Sequence, residues 1–157
     1  MNDNNMKYFY LAYGSNLNVR QMKLRCPTAR VVGIAEIKDY ELLFKGSKTG
    51  SYLTIEPKEG GIVPVAVWEV QTMDEASLNR YEGFPKFYYK KDMEIRYKGI
   101  RTGRHRTVTA FVYIMHEDRE IGIPSNRYIS TCIEGYNDFG FNLNILFDAV
   151  DRSIPNE

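Results

Sequence analysis

Residues 62–70 read Ile62-Val63-Pro64-Val65-Ala66-Val67-Trp68-Glu69-Val70, apolar at most positions. A strand with one wet face alternates; one that is apolar on both parities is covered on both faces, as in a barrel wall backed by helices. Upstream, residues 52–56 read as another strand, joined to it across Pro57 and Gly60-Gly61. Residues 46–50 make a polar turn. Residues 31–44 (VVGIAEIKDYELLF) hold strand-like alternation, read as two strands meeting near Lys38-Asp39.

Further out, residues 7–13 (KYFYLAY) read as a buried strand ended by Gly14. Ser15 or Asn16 then caps a helix over residues 17–25, which Pro27 stops. Thr72-Met73-Asp74-Glu75 fits a capping box with Thr72 as the cap, opening a helix that runs through Ala76, Leu78 and Tyr81 and ends at Gly83, with Pro85 beyond. Residues 87–97 and 107–115 pair as a hairpin. Ser125 caps a helix carrying Tyr128, Ile129, Cys132, Ile133 and Tyr136. Residues 135–140 separate it from a last helix with Leu143, Leu146, Phe147 and Val150 on one face. About six strands, joined mostly by short turns with helices between and after them, give an α+β fold: a largely antiparallel curled sheet or small barrel flanked by short helices.

The chain has 157 residues, the size of one domain, so residues 1–157 are expected to form a single one, with the polar residues 1–5 disordered. Twelve tyrosines and eight phenylalanines suit either the interior of a curved sheet or the wall of a pocket. Twenty-one basic residues against twenty acidic ones, net +1, argue against a nucleic-acid partner. The dense basic stretch Arg101, Arg104, His105 and Arg106 lies around Gly99 and Gly103 and reads as a solvated hairpin tip. Cys26 and Cys132 suit free, buried thiols in a reducing cytoplasm and form no metal-site pattern. No signal peptide or membrane-spanning run is seen, and a cytoplasmic location is expected.

Two segments carry candidate chemistry. In Tyr13-Gly14-Ser15-Asn16-Leu17, a glycine turn leads into a helix start, where outward N–H groups favour a carboxylate or developing oxyanion; the same residues also suit a plain turn with a cap. Glu82 ends a predicted helix, where its charge opposes the macrodipole, between Tyr81 and Phe84. Such a carboxyl either has a raised pKa and works as general acid and base, or points into water. His105 and His116 read as surface residues, the serines lack a nucleophile elbow, and no spacing supports a metal. Elimination leaves carboxylate acid/base chemistry with backbone electrostatics, and no cofactor.

These residues resemble the γ-glutamyl cyclotransferase-like family, in three segments and in the same order. Residues 9–17 resemble its YGSN loop after the first strand. Residues 78–85 resemble the helix end carrying its catalytic glutamate before a glycine. Pro124-Ser125-Asn126-Arg127-Tyr128 and the helix of residues 129–136 resemble its later substrate-contacting tyrosine and helix. The resemblance implies a small, mostly antiparallel six-stranded β-barrel with peripheral helices and a cavity at one mouth. It also implies release of 5-oxoproline from a small-molecule γ-glutamyl amide whose own α-amine attacks the γ-carbonyl. By the same resemblance, Glu82 moves the protons, Tyr13, Gly14, Ser15, Asn16 and Leu17 grip the γ-glutamyl head, and Tyr128 lends a hydroxyl. The context of Glu82, Tyr-Glu-Gly-Phe-Pro followed by Phe87, Tyr88 and Tyr89, departs from the vertebrate glutathione-cycle enzymes, so the leaving amine does not carry over. Two further readings fit the same residues: removal of a γ-glutamyl protecting group from a biosynthetic intermediate, and a non-catalytic barrel that binds a small ligand or a protein.

Overall fold

A computed structural model describes residues 6–46 and 50–155; the expectation for residues 1–5 and the middle of the turn at 46–50 lie outside the described residues. Five strands close a barrel in the order β1-β3-β2-β4-β5: β1 (Lys7–Ala12), β2 (Arg30–Lys45), β3 (Tyr52–Gln71), β4 (Tyr88–Gly99) and β5 (His105–Met115). All pairings are antiparallel except the closing one, where β1 runs parallel to β5 at Tyr10↔Phe111.

Five strands stand where about six were expected, and β2 and β3 each run on unbroken where the sequence suggested a break. The two form one long hairpin, from Arg30↔Glu69 to Lys45↔Tyr52. Its register jumps between Lys38↔Ile62 and Tyr40↔Pro57, so residues 58–61 bulge opposite the single residue Asp39. Asp39 takes a positive φ of 63°, and its carboxylate accepts from the Gly60 N–H at 3.0 Å. The turn-forming residues thus kink a ladder without ending it. Residues 63–68 of β3 are all buried, so both faces of this wall are covered, as their composition required.

The helices are α1 (Val19–Arg25), α2 (Thr72–Glu82), α3 (Asn126–Phe139) and α4 (Leu143–Ser153). The single helix expected over residues 17–25 is divided. Ser15–Leu17 form one 3-10 turn, and Asn18, not Ser15 or Asn16, caps α1 by accepting from the Gln21 N–H. The capping box of α2 also sits one residue earlier than Thr72 and Glu75 suggested. Gln71 is the cap, and its N–H donates to Asp74 at 2.9 Å. Asp74 is buried and also accepts from the Thr28 hydroxyl at 2.6 Å, a partner no local window contains.

Gly135 lies inside α3, which runs on to a left-handed cap at Gly140 (φ 69°). A Cβ on Gly135 would sit 2.6 Å from Leu17 Cβ and 2.8 Å from Asn18 N, so this glycine allows α3 to lie against the turn after β1. On α4, Leu146 and Ala149 face the core while Phe147, expected there, is exposed. Both cysteines are free and buried. Among the described residues, no helix is long and apolar enough to cross a membrane.

Candidate active site

The aromatic load is spent in both of the ways left open. Tyr10, Phe111 and Tyr113 pack ring on ring in the barrel interior, with centroids 5.3–5.8 Å apart. The same interior opens into a cavity of about 430 Å³ lined by Tyr10, Tyr13, Tyr88, Tyr113 and Tyr128, with Tyr52, Tyr81 and Phe87 toward solvent. Gly14, Ser15 and Asn16 border it on one side, Arg80, Glu82 and Gly83 on the other.

Glu82 reaches this cavity because α2 stops there. Gly83 adopts the left-handed conformation (φ 64°), and the Phe84 N–H folds back to the Asn79 carbonyl at 2.9 Å, closing the helix. The helix end is held to the barrel by the Tyr113 hydroxyl, which donates to Asn79 Oδ1 at 2.6 Å, and by Lys90 of β4 on Glu75 at 3.1 Å. Gly14 lies at the end of β1 with its backbone against the opposite wall. A Cβ there would stand 3.3 Å from the Tyr128 hydroxyl and 3.4 Å from Leu53 Cβ.

Asn16 links the two sides. Its Nδ2 donates to Glu82 Oε1 at 3.3 Å and to the Tyr10 hydroxyl at 2.9 Å, while its Oδ1 accepts from Arg25. The guanidinium of Arg25 also lies 3.5 Å from the centre of the Tyr81 ring, and the Tyr81 hydroxyl pairs with Ser15 Oγ at 2.8 Å. Burial among these rings pushes the Glu82 carboxyl up from 4.5 to about 8, with Arg25 pulling it back part of the way.

The hydroxyls divide into two sets. Those of Tyr13 and Tyr88 donate to backbone carbonyls, of Tyr113 and Leu53 respectively, so their protons are engaged. Tyr10 and Tyr128 instead accept, from Asn16 and from the Leu53 N–H at 3.1 Å; the Tyr128 hydroxyl also hydrogen-bonds with the Cys132 thiol, while the Tyr10 proton is left to point elsewhere. Burial and then the nearby Glu82 charge raise the Tyr10 pKa, so it keeps that proton as a donor.

Of the residues singled out from sequence, Tyr13, Gly14, Ser15, Asn16, Glu82 and Tyr128 come together around one cavity. Leu17 does not: it is fully buried behind the turn, against Gly135. Sequence reasoning missed Tyr10, Leu53, Tyr88 and Tyr113, which it read only as strand residues, and Arg25, read only as a helix end. Among the described residues, no group of His, Cys, Asp or Glu side chains could hold a metal ion.

A family model described as gamma-glutamyl cyclotransferase, AIG2-like, matches residues 10–130. The gamma-glutamylcyclotransferase of Homo sapiens is 30% identical over 143 residues, covering 87% of this chain and 73% of that protein. That of Bos taurus is 34% identical with the same coverage. A solved structure described as a gamma-glutamyl cyclotransferase superposes with a TM-score of 0.78 at 25% identity, covering 97% of this chain and 90% of that one.

Proposed function

The chain belongs to the gamma-glutamyl cyclotransferase, AIG2-like family, an enzyme family by the names of its relatives, and from that premise we propose that it closes a γ-glutamyl amide on itself, releasing 5-oxoproline and a free amine. Glu82 is the acid/base group of this reaction. The observation that carries the reading is the placement of the Glu82 carboxyl, bonded by Asn16, in the tyrosine-lined cavity that the glycine turn also borders.

The chemistry moves two protons from the substrate's α-nitrogen to its leaving nitrogen. Glu82 takes the first from the α-ammonium, and the freed amine attacks the γ-carbonyl carbon, forming the ring C–N bond. The carbonyl oxygen becomes an oxyanion. Its collapse breaks the bond to the leaving nitrogen, which receives the proton from Glu82; the second proton leaves the ring nitrogen by the same carboxylate. The α-ammonium of a γ-glutamyl amide, beside its own carboxylate, is a far weaker acid than an ordinary carboxyl, so a carboxyl raised to about 8 narrows the gap and makes the first transfer less uphill.

Ring closure is intramolecular, so the remaining task is to hold the γ-glutamyl head folded. The backbone of Gly14, Ser15 and Asn16 grips the head and offers N–H groups to the oxyanion, the free proton of Tyr10 adds a donor, and the Tyr128 hydroxyl borders the head from the facing wall. Leu17 acts behind the turn instead of in it. No step calls for a cofactor, and the cytoplasm is the setting. The test is incubation with a panel of γ-glutamyl amides while 5-oxoproline is measured. Turnover of at least one member, lost in Glu82→Gln, is expected; no turnover of any member overturns the reading.

A further inference from the structure

The cavity does not end at its mouth. Arg80, Gly83 and Phe87 border it and also border an outer groove that continues over Phe84, Pro85, Lys86 and Arg119. Gly83 directly follows Glu82 in the chain, so this groove begins beside the reacting carboxyl. On the cyclotransferase reading, a γ-glutamyl head folded against the glycine turn has this groove as an exit for its leaving amine.

The groove contains three cations and no acid. Arg80, Lys86 and Arg119 line it, and among the described residues none of them has a carboxylate within ion-pair distance. The neighbouring Lys90 differs, being neutralised by Glu75 at 3.1 Å. Arg119 is held in place, its guanidinium 4.6 Å from the centre of the Phe87 ring, and Arg80 donates to Ser77 Oγ at 3.3 Å. Three acids lie near Arg119 in sequence, Glu117, Asp118 and Glu120; Glu117 is engaged elsewhere by the Tyr89 hydroxyl, and none of the three lines the groove or stands within ion-pair distance of Arg119. In a chain whose formal charge is only +1, three cations lining one apolar floor with no carboxylate among the lining residues are a local excess.

We infer that this groove is the leaving-amine subsite and that it selects amines carrying two negative charges, as two carboxylates or a phosphate. The inference rests on the cyclotransferase reading and narrows its substrate class. The apolar floor of Phe84, Pro85 and Phe87 takes the carbon chain of the amine, while Arg80, Lys86 and Arg119 meet its anionic ends. A cationic leaving amine is repelled.

The experiment compares kcat/KM across γ-glutamyl amides of similar size. The leaving amines are glutamate (two carboxylates), phosphoethanolamine, alanine (one carboxylate), propylamine (neutral) and diaminobutane (cationic). The expected order is dianionic, then monoanionic, neutral and cationic, with about tenfold or more between the dianionic and neutral amides at low salt, shrinking as salt is added. The ratio collapses in Lys86→Met combined with Arg119→Met, survives in Lys86→Arg, and inverts toward the cationic amide in Lys86→Glu with Arg119→Glu. Phosphoethanolamine outpacing glutamate identifies phosphate as the favoured group, and the reverse identifies the dicarboxylate; either supports the subsite. Equal turnover of all five amides overturns the inference and leaves the cyclotransferase reading standing. Turnover of none overturns both.

Discussion

The side-chain amide of Asn16 donates to Oε1 of Glu82 at 3.3 Å, joining the turn after β1 to the last residue of α2 across 66 positions of sequence. The same amide holds the Tyr10 hydroxyl and takes the Arg25 guanidinium on its oxygen, so all its polar atoms are used. Glu82 is therefore oriented by a neutral donor, with its cation one residue removed. A direct Arg25–Glu82 ion pair would pull the carboxyl down. Asn16 in between lets burial win, and the result is a carboxyl near 8.

The first prediction concerns that carboxyl. Glu82→Gln keeps shape and most hydrogen bonding but cannot carry a proton. The cyclisation rate is expected to fall by roughly two to four orders of magnitude. Circular dichroism should be unchanged, so that the loss is chemical. Full activity in the variant would remove Glu82 from the mechanism.

The same group makes stability depend on pH in a direction opposite to that of an ordinary paired carboxylate. Its folded pKa, about 8, lies above its ordinary value of 4.5. Between the two the folded chain holds a proton that the unfolded chain has released, so the contribution is fully present below the ordinary carboxylate range and is lost as pH rises through about 8. The slope is at most about 1.4 kcal/mol per pH unit. Glutamine does not titrate. The Tm of Glu82→Gln, relative to the parent, should therefore climb with pH across this window and level off above it. Thermal unfolding at several pH values checks this, and a constant difference would contradict the buried carboxyl.

Arg25 sets where that titration falls. Its charge lowers the Glu82 pKa, so Arg25→Met should move the acidic limb of kcat/KM to higher pH, whereas Arg25→Lys keeps the charge and should leave the limb near its place. Both variants lose the fork that reaches Asn16 and Gln21, so a fall in kcat common to both measures positioning, and the limb alone measures charge.

Tyr128→Phe removes the acceptor of the buried Leu53 N–H. Leaving that donor unpaired is expected to cost about 1–3 kcal/mol, or a Tm lower by roughly 2–12 °C. It also deletes a hydroxyl from the cavity wall, so KM should rise. An unchanged Tm with raised KM would mean that water has replaced the acceptor.

How much of this was legible in the sequence depended on how local the cause was. The two-sided apolar run of β3 and the glycine stop of α2 are properties of a few neighbouring residues, and both were readable. The capping of α2 was misplaced by one residue because Thr28, 46 positions away, bonds Asp74 and so decides which acid serves the cap. The unbroken β2–β3 hairpin was misread as separate strands because Asp39 and residues 58–61 carry turn chemistry, and only their pairing across the ladder makes them a bulge. In the site, the glycine turn and Glu82 stood out by type. Tyr10, Tyr88 and Tyr113 did not, because a strand tyrosine looks the same whether it faces a cavity or a packed core. Leu17 was taken for a site residue because it adjoins the turn in sequence, while Gly135, which decides what Leu17 touches, lies on α3.

That contact gives the last prediction. A methyl group on Gly135 would stand 2.6 Å from Leu17 Cβ and 2.8 Å from both Asn18 N and Leu17 C. Two of these three atoms are backbone, so no side-chain rotation relieves the overlap, and either α3 or the turn must move. Overpacking of this kind costs typically about 1–3 kcal/mol, a Tm lower by roughly 2–12 °C. The turn is short and carries Ser15 and Asn16 into the cavity, so the displacement should also weaken the Asn16–Glu82 contact. Gly135→Ala is therefore expected to lower both Tm and kcat, although the residue does not line the cavity. Thermal unfolding and steady-state kinetics on the same preparation test this. A lower Tm with unchanged kcat would show that α3 yields and the turn does not.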